Sequence, residues 1–200
     1  MANGQVITGF SKPVVALYSA NGTTVSYASK MPLARGVDVS LDIETADDND
    51  FYADNVVAES AGNVFSSGTV TLTVDGLKAE ARRLIMGLPE ARSLSVGSTS
   101  VNIYDYDDRQ VKPYVGLGFV VRAMEDGVTT YIPYVLPKVI FSDTGLEAAT
   151  QDETIDFQTS ELEATILRDD SDNHRWQMIG DNQTTEALAE SVITALLGGQ

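Results

Sequence analysis

The stretch Val37-Asp38-Val39-Ser40-Leu41-Asp42-Ile43-Glu44 decides the fold. Branched apolar residues alternate with carboxylates and one hydroxyl. A period of two sends alternate side chains to opposite faces, so this reads as a strand with one buried and one wet face. Thr69-Val70-Thr71-Leu72-Thr73-Val74 alternates in the same way. Upstream, Pro13–Tyr18 is apolar and β-prone, and Asn21-Gly22 separates it from Thr23–Tyr27. Asn-Gly between such runs predicts a hairpin with a type I′ turn, because both residues accept positive φ. Downstream, strands are expected over Ser100–Tyr104, Tyr114–Met124 and Thr129–Phe141. A short Asp-Gly loop at Glu125-Asp126-Gly127 joins the last two. Pro133 and Pro137 predict an edge position or a bend there. Further strands are expected at Thr154–Thr159, Glu161–Leu167 and Arg175–Ile179.

Two segments change to helical period. After Asp75, placed to cap, Leu77, Ala81, Leu84 and Ile85 form a stripe. Gly87 then stops the helix, with Pro89 beyond. From Thr184, Leu188, Val192 and Leu196 lie one turn apart, flanked by Ala189, Ile193 and Leu197. A helix of about 13 residues is marginal alone in water, so it must dock, on its own domain or on a neighbouring subunit. The expectation is a mainly β chain: a β-sandwich or barrel flanked by one α-helix, with a long acidic loop and a C-terminal helix. Residues 1–200 form a single domain, with 45–63 as the loop and 181–200 as a C-terminal helical extension.

Composition narrows the function. The chain of 200 residues carries 29 Asp and Glu against 13 Lys and Arg, a formal net charge of −16. Such a surface repels phosphates and argues against dedicated nucleic-acid binding or attachment to an anionic membrane. The absence of cysteine removes disulfides, thiolate nucleophiles and Cys-based zinc sites. Met1–Gln5 lacks the basic and apolar regions of a secretory signal, and no run approaches a membrane span, so a soluble protein is expected.

Catalytic patterns are missing. His174 is the single histidine and sits in the polar loop around Asp169–Asn173, which leaves no Ser-His-Asp arrangement. The run from Asp47 to Asn55 matches calcium-loop spacing in part, with Asp48, Asp50, Asp54 and Glu59 at ligand positions. The glycine required at the sixth position is replaced by Ala53, however, and the flanks are strands. Gly116-Leu117-Gly118 lacks the third glycine of a dinucleotide fingerprint. Inside a strand, such glycines mark a bulge or a close backbone approach. Asp105 with Asp107 or Asp108 does not rise above the background of 29 acids. No enzyme activity, cofactor or metal is expected.

One ordered set of short motifs resembles a known family. Thr45–Asn55, containing Tyr52-Ala53-Asp54, leads to Val57-Ala58-Glu59-Ser60. The Thr/Val strand Gly68–Val74 follows, and then the segment Leu77–Met86 closed by Gly87. In this order the chain is similar to the major tail proteins, or tail tube proteins, of long-tailed, siphovirus-type bacteriophages. The match is carried by Tyr52, Ala53, Asp54, Glu59, Ser60, Leu72, Val74, Leu77, Leu84 and Gly87. It covers residues 35–90 well and the remainder only in general character.

The resemblance implies a structural virion protein without catalytic site or cofactor. Subunits would self-assemble into hexameric rings stacked as a tail tube, through which DNA passes without specific binding. It further implies tail terminator, tape-measure and distal tail proteins as partners, and a location in the virion after synthesis in the host bacterial cytoplasm.

Physical reasoning adds candidate contacts. Ring closure and stacking need two distinct self-contacts, and unpaired strand edges can supply the first. Thr129–Tyr134, without strong blocking charge, is one expected edge. Asp38, Asp42 and Glu44 are lumen-lining candidates, because carboxylates repel passing DNA. The 45–63 loop is long, and Phe51, Tyr52, Val56 and Val57 are costly to expose. Asp50, Phe51, Tyr52, Asp54, Val56, Val57 and Glu59 are therefore candidates for inter-subunit or inter-ring contact. The competing readings are a tube protein of a contractile injection or secretion system, a β-sandwich carbohydrate-binding module, and a carboxylate-based hydrolase.

Overall fold

In the computed structural model, which describes residues 4–46, 49–53, 55–61, 64–143, 145 and 158–198, the alternating segments become strands. The elements in chain order are β1 (Val6–Asn21), β2 (Thr24–Pro32), β3 (Gly36–Thr45), β4 (Asn49–Ala53), β5 (Val56–Ala61), β6 (Phe65–Val74), α1 (Ala79–Met86), β7 (Arg92–Val96) and β8 (Thr99–Ile103). They continue with β9 (Val115–Glu125), β10 (Val128–Phe141), β11 (Ser160–Leu167), β12 (Met178–Ile179) and α2 (Glu186–Leu196). The protein is mainly β. One antiparallel sheet runs β2-β1-β9-β10-β11-β6-β3, with β12 added to β10. β4–β5 and β7–β8 are separate two-stranded hairpins.

The sheet curls so that β3, at one end, packs back over β1. The curl is visible at Gly36, where a Cβ would lie 2.1 Å from Cε1 of Phe10. The enclosed core takes Val70, Leu72 and Val74 from β6, Leu117 and Phe119 from β9, and Leu162 and Ile166 from β11. Val39, Leu41 and Ile43 of β3 pack on the same core, while Asp38, Ser40, Asp42 and Glu44 face outward. Ala81, Ile85 and Met86 of α1 join it.

β9 is buried on both faces. Its odd-numbered residues Val115–Val121 enter this core. On the reverse face Val120, with Ala16 and Val135, meets Ala189, Ile193 and Leu197 of α2. The last helix thus docks on its own chain. Gly116 and Gly118 make room for it: a Cβ on Gly118 would come within 2.3 Å of Ile193 Cγ2. Thr185 caps α2 by accepting a hydrogen bond from the Leu188 amide. The exposed stripe of this helix is the one containing Leu188 and Leu196.

Several local readings change. The first hairpin closes with Gly22 at φ +61, and Asn21 does not have positive φ; Asn21 pairs with Thr24. That is the type II′ pattern, glycine first, in place of type I′. At the second hairpin Asp126 and Gly127 both have positive φ, as type I′ requires. Asp75 does not cap α1. Lys78 occupies that position without a side-chain hydrogen bond, and Asp75 instead accepts from the amide and Nε of Arg35.

β10 is central, not an edge. Pro137 lies in the bulge between Leu136 and Val139. The free side of Thr129–Tyr134 is covered by 178–183, through Tyr131 with Gln183 and a Gly180 N–H donated to the Pro133 carbonyl. That segment supplies partners a proline-bearing strand still needs, which removes it as an open edge. Of Arg175–Ile179 only Met178–Ile179 is strand, and residues 154–157 of the strand expected at Thr154–Thr159 fall outside the described residues. The segment read as a long loop carries its own pairing as β4–β5.

The α2 dock yields a test. Ile193→Ala is expected to cost about 2–4 kcal/mol through the cavity it leaves, and Gly118→Ala about 1–3 kcal/mol through overpacking. Because the two atoms compete for one space, the double variant should cost less than the sum by about 0.5 kcal/mol or more in urea unfolding. Strict additivity would show that the glycine does not seat the helix.

Candidate functional site

The outer face of β3, β6 and β11 is chemically uniform. Pairing sets Asp38 beside Thr73, Ser40 beside Thr71, Asp42 beside Thr69 and Glu44 beside Ser67. On the other side of β6, Glu161 stands beside Thr73 and Glu163 beside Thr71. Five carboxylates and a row of hydroxyls therefore share one face, without a cation among these positions. Asp38, Asp42, Glu44, Glu161 and Glu163 are exposed, and Ser67 Oγ donates to Glu44 Oε2 at 2.7 Å. Sequence reasoning found the three acids of β3 but not Glu161 and Glu163. Their strand was legible; the pairing of β11 with β6, separated by almost ninety positions, was not.

The second candidate set lies on the β4–β5 hairpin. Asp50 pairs with Ser60, Phe51 with Glu59, Tyr52 with Val57 and Ala53 with Val56. Asn55 turns the chain at φ +64. Asp54 lies outside the described residues. The hairpin is hydrogen-bonded within itself and forms a sheet separate from the main one. It leaves the body where Thr45 of β3 meets Phe65 of β6. The two predicted sets, acid face and arm, are therefore neighbours along the chain and not one site.

A second arm was read only by half: β8 answers to the strand expected at Ser100–Tyr104, but its partner β7 was missed. In β7–β8, Leu94 stands opposite Val101 and Val96 opposite Thr99, and all three apolar side chains are exposed. A free two-stranded hairpin is marginal in water. The signal was present in Arg92-Ser93-Leu94-Ser95-Val96-Gly97, a period-two run ending in a turn glycine. Arg92 pairs with Asp105 at the base at 3.0 Å.

The polar groups elsewhere serve structure. Asp105 and Asp107 bind Arg92 and Arg109, and the hydrogen bonds from these arginines hold both carboxyls below the usual range. The carboxylate of Asp169, wholly buried, accepts from Ser171 Oγ at 2.5 Å and from Arg175 N at 2.8 Å and Nε at 3.1 Å. It organises the 169–175 loop, on which His174 is exposed. Trp176 stacks on Phe65 at 4.6 Å between centroids and packs on the core, so it is no platform for a sugar. Among the described residues no three of His, Asp and Glu converge as a metal site, and no helix is long and apolar enough to cross a membrane. No protein-family model and no curated protein matches the chain.

If the acid face serves a role other than folding, neutralising it should cost nothing. Glu161→Gln with Glu163→Gln is expected to shift unfolding free energy by no more than about 0.5 kcal/mol, toward stabilisation as like charges are removed. Leu162→Ala, between them, should cost about 2–4 kcal/mol. A large loss from the paired glutamines would make the face structural.

Proposed function

We propose that this protein is a structural subunit that polymerises with copies of itself into stacked rings forming a hollow tube, the tail tube of a long-tailed bacteriophage. One observation carries the reading. The core is built within one chain, yet the acidic and aromatic β4–β5 segment forms a two-stranded hairpin of its own, separate from the main sheet. An arm that carries Phe51, Tyr52, Val56 and Val57 gains by burial on another molecule. The sheet also ends in β2 and β3, each hydrogen-bonded on one side. Pairing β2 of one copy with β3 of the next is a heterologous contact that can close by rotation into a ring, the hexamer of the family.

In such a ring the β3–β6–β11 face would line the bore. Carboxylates and hydroxyls hold water and repel phosphate, so DNA slides without being held. Lumen candidates are then Asp38, Asp42 and Glu44, joined by Glu161 and Glu163. The tape-measure, terminator and distal tail proteins would meet the tube through the same kinds of surface, and the chain would act in the virion, with no catalytic step of its own.

Concentrated wild-type protein is expected to form tubes in negative stain, with a central channel. Deleting Asp50 to Asn55 should leave a soluble monomer, with unchanged thermal unfolding, that forms none. Tubes formed by the deletion variant would remove the arm from the contact. Wild-type protein that stays monomeric under all conditions of salt and concentration would contradict the reading as a whole.

A further inference from the structure

Two strained backbone positions serve one place. Lys12 lies in the bulge of β1 between Ser11 and Val14 with φ +56. Ser29, beside Lys30 in the bulge of β2, has φ +52. Neither is a glycine or asparagine, the residues that enter this region readily. A bulge re-aims the side chains around it. These two bring Lys12 and Lys30 into the lining of a cleft of about 820 Å³ between β1, β2, the start of α1 and α2.

Arg35 and Lys78 line it as well, and its carboxylates are Asp75 and Glu190, so four cations face two acids in a chain of net charge −16. Lys12 pairs with Glu190 at 2.9 Å and Arg35 with Asp75 at 2.5 Å. Glu186 also acts on Lys12, and it accepts a hydrogen bond from Ser11 Oγ. Two charges are left over. Lys30 donates to a neutral group, Thr194 Oγ1, at 2.7 Å. Lys78 stands at the N-cap of α1 without a side-chain hydrogen bond, where a cation opposes the helix dipole. No ion pair holds either lysine among the described residues. Folding accounts for neither charge, nor for the strain beside Lys30, which suits groups kept for a ligand.

The floor of the cleft is apolar, formed by Val14, Met31, Leu33, Ala34 and Ile193. Its volume is that of a small-ligand pocket. Hydrocarbon below and two unneutralised ammonium groups beside it fit a molecule with an apolar body and one anionic head. The rest of the surface limits its size. Screening reaches about 10 Å at 0.1 M salt. A polyanion or an anionic bilayer would extend past the cleft onto an acidic body and be repelled there. A small monoanion meets only the local excess of positive charge.

We propose that this cleft binds a free single-chain anionic amphiphile, of the class of a fatty-acid carboxylate. Lys30 and Lys78 take the head group through charge-assisted hydrogen bonds, and the chain lies over Met31, Leu33 and Ile193. The proposal stands independently of the tube reading, because one chain builds the whole cleft and no second copy is required.

The test uses the full chain and sodium laurate below its micelle concentration. Calorimetry is expected to show saturation at one laurate per chain, with affinity falling as salt rises. In protein carrying ¹³C at the methionine methyls, the Met31 signal should move on titration; of the five methionines it alone lines the cleft. Lys30→Gln with Lys78→Gln should melt at or above the wild-type temperature and bind laurate about tenfold or more weakly. Dodecyl maltoside, the same chain without charge, and inorganic phosphate, charge without a chain, should each bind wild-type protein at least about tenfold more weakly than laurate. The proposal falls if laurate does not saturate, if it saturates while Met31 stays unmoved, or if the double variant binds as wild type does. Phosphate bound as tightly as laurate would make this an anion site with no place for a chain. Flotation of wild-type but not variant protein with phosphatidylglycerol vesicles would assign the lysines to a membrane. Either result overturns it as well.

Discussion

A sheet whose first and last strands do not pair with each other leaves two rows of backbone donors and acceptors facing outward. That is the condition of β2 and β3 here. The curl brings β3 over β1 through side chains, with Phe10 filling the space above Gly36, but adds no ladder between them. Water can satisfy such edges in a single chain, and another copy can satisfy them better by adding a strand. The edges are tempered, not blocked. β2 carries a bulge at Ser29 and Lys30 and ends in Pro32, and β3 bulges at Val37. The acids of β3 disfavour pairing of β3 with another β3, and so direct it toward a different edge.

The remaining architecture keeps that arrangement rigid. β9 lies at the middle of the sheet with the enclosed core on one side and α2 on the other. Gly116 and Gly118 let the helix approach the backbone itself. With one face covered by α2, the opposite outer face of β3, β6 and β11 is left to solvent and is lined by carboxylates and hydroxyls. The arm leaves at one end of β3, and the Arg35–Asp75 pair stands at the other.

Local pattern made much of this legible. Alternation in Val37–Glu44 and Thr69–Val74 located β3 and β6 and told which side chains face inward, except at Val37, which the bulge between Gly36 and Asp38 leaves exposed. Asp126-Gly127 marked its hairpin, and the glycines of β9 were readable as a close approach, though not as the seat of α2. What stayed hidden depends on contacts between distant residues. Asp75 looked like a cap because it precedes a helix, but Arg35, forty positions away, takes its carboxylate and depresses its pKa, chiefly through the Arg35 amide. Thr129–Tyr134 looked like an edge because of Pro133, but residues 178–183 cover it. The cleft lined by Lys12, Lys30, Arg35 and Lys78 has no local signature, because these residues converge only when β1, β2 and α1 are in place.

The central claim is that these edges and the arm are completed by sister molecules. Amide hydrogen exchange, compared between dilute single chains and assembled material, tests it most directly. Fast exchange is expected in Asn49–Ala61 and at the outward-facing amides of β2 and β3 in single chains, and protection of these same amides on assembly, with β9 slow in both. Assembled material in which β2, β3 and the arm exchange as fast as in the single chain would contradict it.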